Sequence, residues 1–335
     1  MSTTSDTFPL LVAEVANCHG GSEEYLFALL DRLLATGADA VKFQPIVAPE
    51  LVASRHPMYG IFDSLQMPAS VWREASTRIH RAGKLVGFDA YGEGSLSIAL
   101  ECGADLLKVH ASDIDNPDFV GRVLDIGLPV FVSTGGASPE EIDRIATLRP
   151  SATICLQVGF QAYPTPAEES HLNRIPTIAA RYGRPVGYMD HVSRDDLFAS
   201  VLPCLSLAKG AASVEKHVYL PERETKYDWQ AALSPEELDR VYRLMLTTVA
   251  ALGRSELVRS PLEEEYSRKT RRVAVTRTAI APGDALSPDV IVFVRAVPDT
   301  AGAEPVTRAV LPSMLGRRAA RAIAADTTLT RDMFL

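Results

Sequence analysis

The feature that most restricts the fold is a tripeptide recurring at one place in the pattern. Gly37-Ala38-Asp39 and Gly103-Ala104-Asp105 each separate a helical segment from a short apolar run, and Gly210-Ala211-Ala212 echoes them. Glycine just past a helix closes its last turn in the left-handed conformation. An apolar run straight afterwards reads as a strand buried on both faces. Strands are expected at 10–15, 40–43, 84–88, 106–109, 130–132, 153–158, 186–188 and 213–215. Helical periodicity lies between them, as at 23–35, 69–82, 95–102 and 139–148. A last helix is expected over 235–252, with Ser234 and Glu237 placed to form a capping box. Eight such units in about 250 residues predict an α/β fold of the (β/α)8 TIM-barrel type. An open doubly wound sheet is the alternative, but no GxGxxG follows the first strand.

Polar residues interrupt the apolar runs at one end only. Glu14, Lys42, Gln44, Lys108, Ser133, Asp190, Glu215 and His217 all stand at or just past expected strand C-termini. In a barrel of this type that face carries the active site. Two segments stand out, Tyr188-Met189-Asp190-His191 and Val214-Glu215-Lys216-His217, each placing a histidine beside a carboxylate. Residues two apart in a strand share a face, so Glu215 and His217 project together and Lys216 turns away. Two imidazoles with carboxylates at one point make a divalent-metal site plausible chemistry.

Composition excludes several classes of function. A net charge of −8 argues against a non-specific nucleic-acid binder. No apolar run reaches membrane-spanning length, and residues 1–9 lack the pattern of a secretion signal. The four cysteines are scattered without a CxxC pair, as expected of reduced, mostly buried thiols in the cytoplasm. The barrel domain is assigned to 1–255. From there the texture changes, and Glu263-Glu264-Glu265, Arg268-Lys269 and Arg271-Arg272 suggest a charged linker over 256–271. Beyond it, Pro282-Gly283, Ser287-Pro288, Val297-Pro298 and Glu304-Pro305 break short β-like runs into a small, mostly-β domain over 272–335 with no long helix expected.

With these motifs in order, the chain resembles the sialic acid (N-acylneuraminate) synthase family. The resemblance starts at Ala13-Glu14-Val15-Ala16-Asn17-Cys18-His19-Gly20-Gly21 and continues through Gly37 to Gln44. It then takes in Lys108 to Asn116, Ser133-Thr134-Gly135, Tyr163-Pro164-Thr165-Pro166, Gly187 to His191 and Glu215-Lys216-His217. The tail, with Ile280-Ala281-Pro282-Gly283-Asp284 and Leu315-Gly316, looks like that family's antifreeze-like (SAF, β-clip) domain.

The resemblance implies condensation of phosphoenolpyruvate with an amino-sugar aldehyde and release of phosphate. It assigns His191 and His217 to a divalent cation, Mn²⁺ or Mg²⁺, acting as Lewis acid. It gives Glu14 and Glu215 as candidates to activate or orient the water that adds at C2, with Lys108 beside them in the catalytic group. Lys42 and Lys108 would hold the donor's phosphate and carboxylate, with Ser133, and Gln44 and Tyr163 would touch substrate. Asp89, Ser112, Gln161 and Asp190 are further candidates for the substrate site, and Asp228 for sugar hydroxyls. The resemblance also implies a domain-swapped homodimer in which Arg295 reaches the partner's sugar.

The chain departs from the family pattern on the donor side. Where the family has Phe-Ser-Thr-Pro-Phe, this chain has Phe88-Asp89-Ala90-Tyr91-Gly92. Ala111 and Met189 replace serines, Gln161 replaces an asparagine, and Trp229 replaces a histidine. Three hydroxyl donors are lost, each worth on the order of 1.5–3 kcal/mol against a charged ligand. Asp89 and Glu93 add negative charge nearby. Two expectations follow: Gln161, Ser112 and Tyr91 rebuild the phosphate site, or the donor carries no phosphate, as in a metal-dependent aldolase or lyase. A catalytically silent sugar-binding homologue is the reading outside enzymes.

Overall fold

The structure, a computed structural model, describes residues 9–162, 164–296 and 302–335. It divides into two compact units, Met1–Gly253 and Arg254–Leu335.

In the first unit eight parallel strands close into a barrel in sequence order. They are β1 (Leu10–Glu14), β2 (Ala40–Phe43), β3 (Leu85–Ala90) and β4 (Leu106–Val109), then β5 (Val130–Ser133), β6 (Ile154–Val158), β7 (Val186–Asp190) and β8 (Ser213–His217). Closure comes from β1 pairing with β8, with Glu14 opposite His217. The expected (β/α)8 fold is therefore present, with β3, β7 and β8 running two residues further than their apolar runs. Each extension contains a charged residue, Asp89, Asp190 or Lys216, and pairs like the rest, so hydropathy alone stopped short of the true ends.

The repeated tripeptide has a structural reason. The Asp39 carboxylate accepts a hydrogen bond from Leu11 N at 2.8 Å, and Asp105 accepts one from Val86 N at 2.8 Å. Each aspartate thus ties its own strand to the second residue of the preceding one and helps set the register. The last barrel helix, Pro235–Leu252, begins with the expected capping box between Ser234 and Glu237. Ser234→Ala should lower stability by about 1 kcal/mol, read as a reduced urea midpoint with unchanged slope; no change would mean the cap is redundant with the packing of Leu238, Val241 and Met245.

Side chains facing the barrel interior form layers. At the N-terminal end Val12, Ala40, Leu106, Phe131 and Cys155 fill it with an apolar plug. One layer up, the same strands present Glu14, Lys42, Lys108, Ser133 and Gln157, all buried. The opposite faces of the strands pack on the helices in the main core. Hence the polar interior sits on an apolar floor and opens only at the strand C-termini.

The second unit pairs β9 (Arg272–Thr276) with β10 (Ile291–Arg295) in an antiparallel ribbon. Isolated bridges such as Ile280↔Ile323 and Ala319↔Phe334 close the rest around a small core with Leu286, Val306 and Leu329. The charged stretch expected to be a linker holds a ten-residue helix, Pro261–Thr270, within this unit. Ser260 and Glu263 form a capping box there and proline occupies the first turn. Its charges obscured the helix, because no apolar face was needed to build it: none of its residues is buried. Among the described residues no helix is long and apolar enough to cross a membrane. The four cysteines are free thiols, three of them buried.

Candidate active site

A pocket of about 330 Å³ opens at the C-terminal mouth of the barrel. Of the residues expected there, Gln44, Lys108, Ser133, Gln161, His191, Glu215 and His217 line it. His191 follows β7 and His217 ends β8, and their rings meet edge to face with centroids 5.0 Å apart. Burial, and then the neighbouring His217, hold the His191 imidazole well below the ordinary histidine range. Burial also brings His217 down to about 3. Both rings are thus neutral at physiological pH, the form that binds metal.

Beneath the pocket lies a network of buried charges. Lys42 pairs with Glu14 and with Asp89, and stands 3.8 Å from Glu215. Lys108 pairs with Glu215, whose other oxygen accepts from Gln157 Nε2 at 3.3 Å. Gly87 makes room for the first lysine: a Cβ there would stand 3.0 Å from Lys42 Cγ and 2.6 Å from Leu106 Cδ1. Ala16 adopts a φ of +47°, a conformation costing about 1–2 kcal/mol for a residue with a Cβ. That turn brings its N–H onto Glu14 Oε1 at 2.7 Å and fixes the carboxyl.

The two glutamates titrate in opposite directions. Burial pushes Glu14 up to about 8; Lys42 opposes this, but Asp89 and Glu215 add repulsion. Burial acts on Glu215 too, yet Lys108 and then Lys42 outweigh it and hold the group near 2. Glu14 is therefore the more readily protonated of the two, while Glu215 is held as an anion. Burial alone would lower Lys42, but Asp89 and Glu14 keep its ammonium above the usual lysine value.

Other expected residues lie elsewhere. Glu14, Lys42 and Asp89 are fully buried and do not form the pocket wall. Asp190 faces outward from β7, where it bonds Lys216 Nζ at 2.9 Å and accepts from Val192 N at 3.0 Å. It is a fastening between β7 and β8 that sets the turn carrying His191, so its expected place in the substrate site is corrected. The alternation of the strand explains this: Met189 and His191 point in, so Asp190 points out. Ser112 is exposed and donates to Asp113 at 2.9 Å, outside the pocket wall. Asp228 is held by Asn17, which donates to it from N at 2.9 Å and from Nδ2 at 3.0 Å, and is likewise not on the wall. Arg295 is exposed on β10 of the second unit. Tyr163 lies outside the described residues.

Some lining residues carried little signal in the sequence. Gly135, Gly136 and Phe160 enter the wall through loops, and Ala111 and Met189 fill positions read as lost hydroxyls. Gln157, buried beneath the pocket, was not among the expected residues, although a polar side chain in the interior register of an apolar strand marks it. Among the described residues no group of three or more His, Cys, Asp or Glu is arranged to hold a metal ion. His191 and His217 would be the protein's share of such a site, leaving other positions to water and substrate. Two neutral, adjacent imidazoles are donors that a divalent cation accepts, and they do not by themselves select which one.

An apolar core does not need several buried charges inside its barrel, and burying them is costly. Concentrated at the C-terminal mouth, they mark this fold as a barrel enzyme. The chain belongs to the NeuB family, which residues 29–256 match, and residues 271–335 match the SAF domain. Among its relatives is the spore coat polysaccharide biosynthesis protein SpsE of Bacillus subtilis, 27% identical over 97% of this chain and 93% of that protein. The N,N'-diacetyllegionaminic acid synthase of Legionella pneumophila is 24% identical, covering 95% of this chain and 92% of that one. A crystal structure from Chromobacterium violaceum, named for spore coat polysaccharide biosynthesis protein E, shares the fold. It has a TM-score of 0.80 and 24% identity, over 98% of this chain and 99% of that chain.

Proposed function

We propose that this protein joins a three-carbon enol donor of the phosphoenolpyruvate class to the aldehyde carbon of an amino sugar, giving a nonulosonic-acid-like 2-keto sugar acid. The observation that carries the reading is the neutral His191–His217 pair on the wall of a pocket that also holds Lys108 and Glu215. Family membership and the Legionella synthase support the same reaction class. A divalent cation on the two imidazoles would polarise the aldehyde oxygen. Lys108 faces the donor's carboxylate, and Ser133 and Gln161 offer it hydrogen bonds. The C3 carbon of the donor bonds to the aldehyde carbon, whose oxygen takes up a proton. Water adds at C2 and gives up one proton. The bond from C2 to the phosphate-bearing oxygen then breaks, and the C2 hydroxyl loses its remaining proton to become the ketone. The phosphoryl group leaves with its oxygen as inorganic phosphate, which takes up that proton. Glu215, kept ionised by Lys108, orients the attacking water, and the more readily protonated Glu14 carboxyl lies close by. A homodimer belongs to the same proposal, and light scattering on the purified chain reads it directly.

The test is phosphate release. Purified protein with Mn²⁺, phosphoenolpyruvate and N-acetylmannosamine or a related amino-sugar aldehyde should yield phosphate and 2-keto acid in equal amounts. Chelation by EDTA should stop both, and added Mn²⁺ should restore them. Absence of phosphate release across a panel of such aldehydes would end this reading.

A further inference from the structure

Alternate side chains of each barrel strand turn inward. On β4 these are Leu106, in the apolar floor, and Lys108, in the charged layer above it. The next inward position is 110. The backbone there stays extended, at φ −72° and ψ 159°, so strand parity carries one residue past the end of β4. His110 accordingly stands on the pocket wall.

Two contacts fix its ring. Nδ1 lies 3.3 Å from the backbone N of Ser112, which can only donate, and 3.2 Å from that residue's hydroxyl. The hydroxyl in turn donates to Asp113 at 2.9 Å. Tyr91 covers the ring, with centroids 5.2 Å apart. Burial, against the pull of Asp89, keeps the imidazole below the ordinary histidine value and therefore neutral. With Nδ1 accepting, a neutral ring carries its hydrogen on Nε2. Among the described residues nothing takes that hydrogen.

The neighbourhood gives the Nε2 hydrogen a use. Ala111, Met189, Phe160 and two glycines offer the wall no side-chain donor. Ser112, expected to help rebuild the phosphate site, lies off the wall and instead holds His110. The donor acid of the proposed reaction has three substituents on C2. Its carboxylate goes to Lys108, one pleat beneath His110. Its C3 must face the aldehyde at the imidazole pair on the β7 and β8 side, across the ring from β4. The phosphoryl oxygen is left to the outer part of the β4 side. Positions 108 and 110 lie about 6.6 Å apart along the strand, a gap that the two anionic ends of a three-carbon acid can bridge. A neutral donor also suits a group that has to depart, because it makes a charge-assisted hydrogen bond without adding a second permanent cation.

We propose that His110 receives the donor's phosphoryl group, its Nε2–H donating to a phosphoryl oxygen while Lys108 holds the carboxylate. This rests on the reading that the pocket takes a phosphorylated three-carbon enol acid, and it deepens that reading by naming the side chain that recognises the phosphoryl end.

Calorimetric titration of the Mn²⁺-loaded full chain with phosphoenolpyruvate, inorganic phosphate and pyruvate tests this, beside steady-state phosphate release with N-acetylmannosamine. His110→Phe keeps a ring against Tyr91 and loses the N–H. It should weaken phosphoenolpyruvate and inorganic phosphate roughly 10- to 100-fold, the worth of one hydrogen bond to a charged group, while pyruvate and Mn²⁺ change less than about threefold. His110→Gln returns an N–H donor and should recover most of the phosphoenolpyruvate affinity. In turnover the KM for phosphoenolpyruvate should rise in His110→Phe and the KM for the aldehyde should not. Equal losses for phosphoenolpyruvate and pyruvate would mean that the ring only shapes the pocket, and a rise confined to the aldehyde KM would move His110 to the acceptor; either result overturns the proposal. Brisk phosphate release by the parent with no loss in His110→Phe leaves the proposed function standing and removes this inference. Phosphoenolpyruvate binding that depends on His110, without phosphate release from any amino-sugar aldehyde, supports this inference and removes the proposed reaction. Binding of neither phosphoenolpyruvate nor inorganic phosphate to the parent removes both.

Discussion

His217→Ala should abolish carbon–carbon bond formation, lowering kcat/KM by roughly a thousandfold or more, equivalent to about 4 kcal/mol of transition-state stabilisation. The ring ends β8, stands 5.0 Å from the His191 ring and adjoins the pocket, so its removal takes away half of the imidazole pair. Stability should change little, because the lost volume opens onto the pocket rather than into the apolar core. Stoichiometric Mn²⁺ binding measured by calorimetry should weaken in parallel with the rate, and donor affinity without metal should not. A variant that keeps both its metal and a tenth of its activity would remove His217 from the cation's ligands. His191→Ala should behave in the same way, whereas a second-site surface histidine such as His171 should be silent.

Lys108→Met has the largest expected effect on stability. Glu215 is buried and kept ionised chiefly by Lys108, with Lys42 3.8 Å away and Gln157 donating at 3.3 Å. Removing the lysine strands a buried carboxylate, at a cost of about 3–5 kcal/mol. The sign with pH follows from the direction of the shift. A depressed carboxyl contributes stability above its unfolded value of about 4.5 and loses it as pH falls toward 2. Without Lys108 that contribution disappears, so the deficit against the parent should be full at pH 7 and shrink as pH falls below about 4.5. Urea unfolding across that range reads it. Lys108→Met combined with Glu215→Gln should recover most of the stability and none of the activity. If the double variant were no more stable than the single one, the ion pair would not be the source of the loss.

The barrel was legible because its signals are local. Strand-end polarity, helix periodicity and the Gly-Ala-Asp turns each lie within a few residues, and they agree with one another. The shared face of Glu215 and His217 was legible for the same reason, since strand alternation alone puts the two side chains together. The helix Pro261–Thr270 escaped because it is held by a capping box and exposed charges, which read as solvated linker. Asp190 was misplaced because its neighbour His191 drew it into the site, although strand parity sends it to Lys216 on the outer face.

Thus the order of residues alone determined the (β/α)8 architecture, the face that carries the chemistry and the two imidazoles at its mouth. Tertiary structure decided which charged groups a ligand can meet. Lys42 and Lys108 look alike in sequence, each a lysine in the last half of a buried strand. In the closed barrel Lys42 meets Asp89 across β3 and Glu14 across β1, while Lys108 meets Glu215 from the far side of the barrel interior. Those partners come from register between strands and from barrel closure, and in a low-dielectric interior each charge is claimed by the nearest opposite one. Burial pushes both Glu14 and Glu215 upward, and the grip of Lys108, with Lys42, turns only Glu215 downward, from the same side-chain chemistry.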